Sequence, residues 1–190
     1  ISELIGESSE IILRNLQRAD RLIKSFKLIA VDQATEERRT IELGAYLNDI
    51  LTSLGPSLKK TSHVVRVVCP EPITLDTYPG ALYQIVSNLV MNSLHHAYPH
   101  GAAGTLTIGA QRNGNVVELT YSDDGAGMSA ETSARIFEPF FTTRRSEGGS
   151  GLGLHVVYNL VTQLLKGSIR VVSSPGEGAL FEIFVPIGSA

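Results

Sequence analysis

The sequence has 190 residues, 43% of them hydrophobic, with one cysteine and a formal net charge of −3. That length suits one core domain with an appendage, and the composition is that of a globular protein. The small negative charge argues against nucleic acid or an anionic membrane surface as partner, and the lone Cys69 excludes a disulfide framework and a cysteine-rich metal site.

The chain starts at Ile1, without Met, inside a periodic pattern, and is read as an excised piece of a longer protein. Ile1, Ile5, Ser8, Ile12, Asn15, Ala19, Leu22, Phe26 and Ile29 recur at alternating spacings of four and three. This predicts one amphipathic helix over residues 1–30 with a heptad seam, and Asn15 in that seam suits a register-fixing residue. So wide an apolar stripe needs a partner helix, either another copy or a preceding helix outside this sequence, and a homodimer through residues 1–30 is the expectation. The charged run 32–39 (DQATEERR) reads as a linker, so the domains are set at 1–34 and 35–190. No apolar run approaches the ~20 residues that span a bilayer, and no signal peptide is visible.

After the linker the pattern becomes mixed. A short strand is expected over 39–43 and a helix over 45–58, with Pro56 kinking or shortening its last turn. Strands follow at 63–68 and 73–75. A helix opens at Tyr78-Pro79-Gly80 and runs to about Ala97, where Pro99 and Gly101 end it. Residues 105–111 and 116–122 form a hairpin across Arg112-Asn113-Gly114-Asn115. A glycine-rich segment leads into a helix near 151–165, and 168–173 and 179–185 form a second hairpin. Hairpins with interspersed helices predict an α+β fold with helices on one face of a mixed sheet.

Gln84, Asn88, Asn92 and His95 share one face of the helix that opens at Pro79. Such a polar stripe suits either a solvated face or a ligand, since amide oxygens can complete the shell of Mg²⁺ beside phosphate oxygens. Asp123 ends a strand just before Gly125 and Gly127. It is either a plain turn residue or an acceptor for an exocyclic amino group. The cluster Gly148-Gly149-Ser150-Gly151-Leu152-Gly153-Leu154 suits backbone N–H groups that cradle phosphate ahead of a helix N-terminus. There is no P-loop, the dinucleotide fingerprint is not met, and Leu152 spoils a G-x-S-x-G elbow. His95 and His96 diverge on their helix, and Pro99 breaks it before His100, which argues against zinc.

Taken in order, these segments resemble the sequence boxes of the GHKL ATPases. The run Gln84-x-x-x-Asn88-Leu89-x-x-Asn92 resembles the N box, and Asp123-Asp124-Gly125-Ala126-Gly127 the G1 box. Ile136-Phe137-Glu138-Pro139-Phe140-Phe141-Thr142-Thr143 is close to the F box, and Gly149-Ser150-Gly151-Leu152-Gly153-Leu154 matches the G2 box. The set looks like the catalytic and ATP-binding domain of a bacterial sensor histidine kinase over roughly residues 38–187. The leading helix is similar to the second helix of the dimerisation and phosphoacceptor domain.

The resemblance implies a two-layer α/β sandwich of the Bergerat type that binds ATP and Mg²⁺. Asn92 would hold the metal, with Asn88 and His95 near the phosphates. Asp123 would bind the adenine amino group in a pocket shaped by Gly125 and Gly127. Phe137, Phe140, Thr142 and Thr143 would anchor an ATP lid at one end. Gly149, Ser150, Gly151, Leu152, Gly153 and Leu154 would form its phosphate-contacting end, and Arg144 and Arg145 would reach the γ-phosphate. Much of 142–149 is expected to be mobile without nucleotide.

Two departures matter. Hydrolytic relatives carry a water-activating Glu where this chain has Asn88, which cannot act as a base and so favours transfer over hydrolysis. None of the five histidines precedes residue 63, so the first helix offers no phosphoacceptor. The implied partners are therefore ATP, a phosphoacceptor helix and a response-regulator receiver domain, and the implied setting is cytoplasmic, with the whole protein open to an inner-membrane anchor. The rivals are a serine kinase or hydrolytic ATPase of the same superfamily, and a non-enzymatic nucleotide-binding or dimerisation module. The heptad helix argues against the serine kinase, Asn88 against the hydrolase, and the intact boxes against the module.

Overall fold

A computed structural model describes residues 37–59, 61–144 and 149–187. The expected heptad helix, its dimer and the linker up to residue 36, together with Arg145, lie outside the described residues. Along the chain run β1 (Arg39–Glu42), α1 (Leu43–Leu58), β2 (Val64–Val68), β3 (Thr74–Thr77), α2 (Pro79–His96), β4 (Thr105–Asn113) and β5 (Val116–Asp123). There follow α3 (Ala130–Arg135), α4 (Gly153–Asn159), β6 (Ser168–Ser173) and β7 (Ala179–Pro186). After α4 the helix widens to a π turn, Leu160–Leu164, in which the Leu165 N–H reaches back to the Leu160 carbonyl at 2.9 Å.

Five strands form a mixed sheet in the order β2-β4-β5-β7-β6. Among the described residues, only the β2–β4 pair of this sheet is parallel. β1 and β3 pair separately as a small antiparallel ribbon, a division the strand pattern did not reveal. Period-two alternation sends Leu106, Ile108 and Ala110 of β4 to the inner face, with Val117, Leu119 and Tyr121 of β5 and Phe181, Ile183 and Val185 of β7. They share one core with α1 (Leu43, Leu47, Ile50, Leu54) and α2 (Leu82, Ile85, Val86, Leu89, Val90). Each full burial of a Val, Leu, Ile or Phe side chain among these contributes about 1.5–3 kcal/mol.

Local chemistry sets the helix ends. The Glu42 carboxylate accepts the N–H groups of Gly44 and Ala45 at 3.0 and 2.6 Å, so α1 starts at Leu43, two residues before the expected start. Those bonds hold its pKa below the usual carboxylate range. Pro56 does not end α1, which continues to Leu58 while the Lys59 N–H bonds the Gly55 carbonyl at 2.9 Å. A proline so near the end removes a single intrahelical donor. Pro79 opens α2 at its first turn, where its missing N–H costs nothing. In the β4–β5 hairpin Asn113 pairs with Val116, so the turn is Gly114-Asn115 rather than one centred on Asn113-Gly114.

α3 was absent from the expected elements. It has six residues and buries none of them, so no periodic signal marks it; Ser129 caps it by accepting the Thr132 N–H at 3.2 Å. Among the described residues no helix is long and apolar enough to cross a membrane.

Candidate nucleotide-binding site

The open side of α2 forms one wall of a cleft of about 340 Å³. Asn88, Asn92 and His95 line it, spaced by the helical period, with Met91 and His96 beside them. Gln84, on the same stripe, does not line it. The opposite wall comes from Gly127, Met128, Ser129, Thr132 and Ile136, and from the two ends of the glycine loop. Those ends supply Phe141, Thr142 and Thr143 on one side and Gly149, Ser150, Gly151, Gly153 and Leu154 on the other.

The Asn88 Nδ2 is buried and has no hydrogen-bond partner. A stranded amide donor costs about 1–3 kcal/mol, so its neighbourhood suits a ligand acceptor. Gly153 lies directly against it, where a Cβ would sit 3.4 Å from Asn88 Oδ1. Asn92 is half-buried and His95 is exposed at the rim. Among the described residues no cluster of His, Cys, Asp and Glu could cage a metal. Any cation here would therefore rest on amide oxygens such as that of Asn92, with phosphate and water completing its shell, a donor set that fits Mg²⁺.

Asp123 and Gly125 do not line this cleft. Asp123 is the last inward-facing residue of β5, 8% exposed, beside the C-terminal half of α2. Ser93 donates to its Oδ2 at 2.7 Å and the Gly125 N–H to its Oδ1 at 3.1 Å. The following Asp124 points elsewhere and accepts from Tyr98 Oη at 2.9 Å and from the Thr105 N–H at 2.8 Å. The Thr105 backbone bond lowers its pKa, while burial pushes that of Tyr98 well up.

Two glycines are required by the protein's own backbone. Gly127 has φ +65°, and a Cβ there would lie 1.9 Å from the Ser174 carbonyl oxygen, so it seats the β5–α3 loop on the β6–β7 turn. Gly151 has φ +68°, and a Cβ would lie 2.5 Å from the Phe140 carbonyl carbon and 2.7 Å from the Phe141 oxygen. The two ends of the loop are thus packed backbone to backbone, and the Gly149 N–H also bonds the Arg144 carbonyl at 3.1 Å. Gly151→Ala is expected to destabilise the domain by about 1–3 kcal/mol through strain and clash. Thermal unfolding checks this, and an unchanged midpoint would show that the two ends do not meet.

The aromatic residues of the loop divide by role. Phe137 turns inward, its ring 5.6 Å from Tyr158 and 6.5 Å from Phe181, and does not line the cleft. Phe140 is exposed at φ +64° and also stands outside the lining, as do Arg144 and the buried Leu152. Residues 145–148 lie outside the described residues, and the expected mobility of 142–149 turns largely on them. A clamp that the sequence reading missed joins the loop to α4. His155 Nδ1 lies 3.0 Å from the Phe137 carbonyl oxygen and accordingly donates to it, while Asn159 Nδ2 donates to His155 Nε2 at 3.1 Å. Met128, Ser129, Thr132 and Ile136 were missed as lining residues because only the turn after Asp123 brings them across from α2.

Residues 77–189 match the family described as histidine kinase-, DNA gyrase B-, and HSP90-like ATPase. Sensor histidine kinase ZraS of Salmonella typhimurium is 32% identical over 96% of the chain, which spans 39% of that relative's length. Among solved structures, full-length ShkA in complex with AMPPNP superposes with a TM-score of 0.73 at 24% identity, covering 90% of this chain and 37% of ShkA. Histidine kinase ThkA in complex with the response regulator protein TrrA gives a TM-score of 0.72 at 19% identity, covering 91% and 49%. These likenesses establish the fold as that of histidine kinase catalytic domains.

Proposed function

We propose, from the premise that this chain belongs to the histidine kinase-, DNA gyrase B-, and HSP90-like ATPase family, that it binds Mg–ATP and transfers the γ-phosphoryl group to a histidine not contained in residues 1–190. The single observation that carries this reading is the α2 wall. Asn88, with its buried unpartnered Nδ2, stands beside Asn92 and His95 and faces the packed ends of the glycine loop. That arrangement offers amide donors, amide oxygens and backbone N–H groups to a polyphosphate. The relative whose structure holds AMPPNP supports the nucleotide, and the one seen with a response regulator supports relay to a receiver aspartate.

In this reading Asn92 would hold Mg²⁺, which when bound neutralises charge on the phosphate oxygens. Asn88 donates to a phosphate oxygen, and His95 at the rim contacts the polyphosphate. The adenine end lies toward Asp123, whose carboxylate accepts from the exocyclic amino group. Residues 141–144 and 149–154 close over the triphosphate, with Arg144 and Arg145 toward the γ-phosphate. An acceptor imidazole nitrogen then attacks the γ-phosphorus in line, the N–P bond forms as the bond to the β,γ-bridging oxygen breaks, and ADP departs. The amide at Asn88 cannot take a proton from water, which disfavours hydrolysis. Residues 1–30 pair with a second copy, and the domain works in the cytoplasm, where ATP is available.

A transfer assay tests this. The chain is mixed with γ-labelled ATP, Mg²⁺ and a separate polypeptide bearing the histidine-containing dimerisation helix. Acid-labile, base-stable label on that polypeptide is the expected result. Label on serine, or phosphate release without phosphohistidine, would overturn it.

A further inference from the structure

Three buried polar side chains meet where β5 passes α2, and packing alone does not require them. The buried series Leu82, Val86, Leu89 on α2 is continued by Ser93, one turn further and 1% exposed. Tyr121 and Asp123 stand two apart on β5 and so point to the same face. Tyr121 Oη donates to Ser93 Oγ at 2.8 Å, and Ser93 Oγ donates to Asp123 Oδ2 at 2.7 Å. Burial raises the Tyr121 phenol far above its usual range, so its hydrogen stays in place. An ionised carboxylate only accepts, so both hydroxyl hydrogens run one way, toward Asp123. An alanine and a phenylalanine would fill the same core positions without burying any polar group.

The chain of donors has a geometric effect. Ser93 holds one oxygen of Asp123 and the Gly125 N–H holds the other, so the carboxyl plane cannot swing about its last torsion. We propose that Ser93, backed by Tyr121, is a positioning residue that fixes the Asp123 carboxylate and thereby sets selectivity for a 6-amino over a 6-keto purine nucleotide. This rests on the reading of Asp123 as the base-binding group given above. A fixed acceptor gains from an amino donor and is set against a keto oxygen; a carboxylate free to rotate gains less from the first and avoids the second.

The test compares Ser93→Ala, Tyr121→Phe, the double variant and Asp123→Asn, reading ATP and GTP affinity by calorimetry and stability by thermal unfolding. Ser93→Ala is expected to lower the ATP-to-GTP affinity ratio about five- to tenfold. It should also lower the midpoint, because the Tyr121 hydroxyl is stranded. Tyr121→Phe should lower the ratio about twofold. The double variant removes the stranded hydroxyl and is expected to recover stability but not selectivity. If it recovers both, or if folded Ser93→Ala and the folded double variant retain the wild-type ratio while Asp123→Asn loses ATP affinity, the positioning role is overturned and the base-binding reading stands. If Asp123→Asn binds both nucleotides as the wild type does, the base-binding reading falls and this inference with it.

Discussion

Asp123→Asn is expected to weaken ATP binding by about 1–3 kcal/mol, because an amide presents a donor where the base also donates. Both carboxylate oxygens already accept hydrogens, from Ser93 and from the Gly125 N–H. An asparagine has one acceptor oxygen, so its NH₂ must also face one of those donors. The loss therefore has a local part and a ligand part, and they separate experimentally. Thermal unfolding of the free protein reports the first. Calorimetric affinity for ATP, compared with that for a triphosphate lacking the base, reports the second. An affinity for ATP that matches the wild type would remove Asp123 from base recognition.

Asn92→Ala should abolish the gain in ATP affinity that Mg²⁺ provides while leaving binding in chelator close to unchanged. Loss of a group that merely orients a metal ligand costs about 10–100-fold in metal affinity, and loss of a direct ligand should cost no less. Asn92 is half-buried on the cleft wall, and no cluster of acidic or histidine side chains among the described residues could replace it. The side chain faces the cleft rather than the core, so the variant is expected to keep its melting temperature. Titration of ATP with and without Mg²⁺ decides the matter. A variant that keeps the full magnesium dependence would place the ion elsewhere.

How much could be read from residues differs along the chain. The wall of α2 was legible because helical spacing converts sequence directly into a shared face: Asn88, Asn92 and His95 line the cleft together. The two ends of the glycine loop were legible from composition. The reasons for individual glycines were not, since Gly127 answers to the Ser174 carbonyl and Gly151 to the backbone of Phe140 and Phe141, both distant in sequence from any local pattern. Phe137 and Phe140, read as anchors of the lid, and Leu152, read as part of its phosphate-contacting end, all stand outside the cleft lining. Ser93 was passed over because it sits in an apolar series, although a lone serine continuing Leu82, Val86 and Leu89 was itself a signal.

Local order follows from the sequence by itself. Period two and period 3.6 mark the strands and long helices, and proline and glycine mark their ends, because these depend on backbone sterics and on each residue's immediate neighbours. The order of the boxes points to a nucleotide site through its resemblance to the GHKL ATPases. Pairing is a different matter. That β1 and β3 leave the main sheet, that β2 joins β4 in parallel, and that Tyr121, Ser93 and Asp123 form one hydrogen-bonded chain was decided only by the tertiary structure. Such contacts join residues 28 and 30 positions apart. Their stability comes from burial and from satisfying polar atoms away from water, which exist only once the helix lies on the sheet.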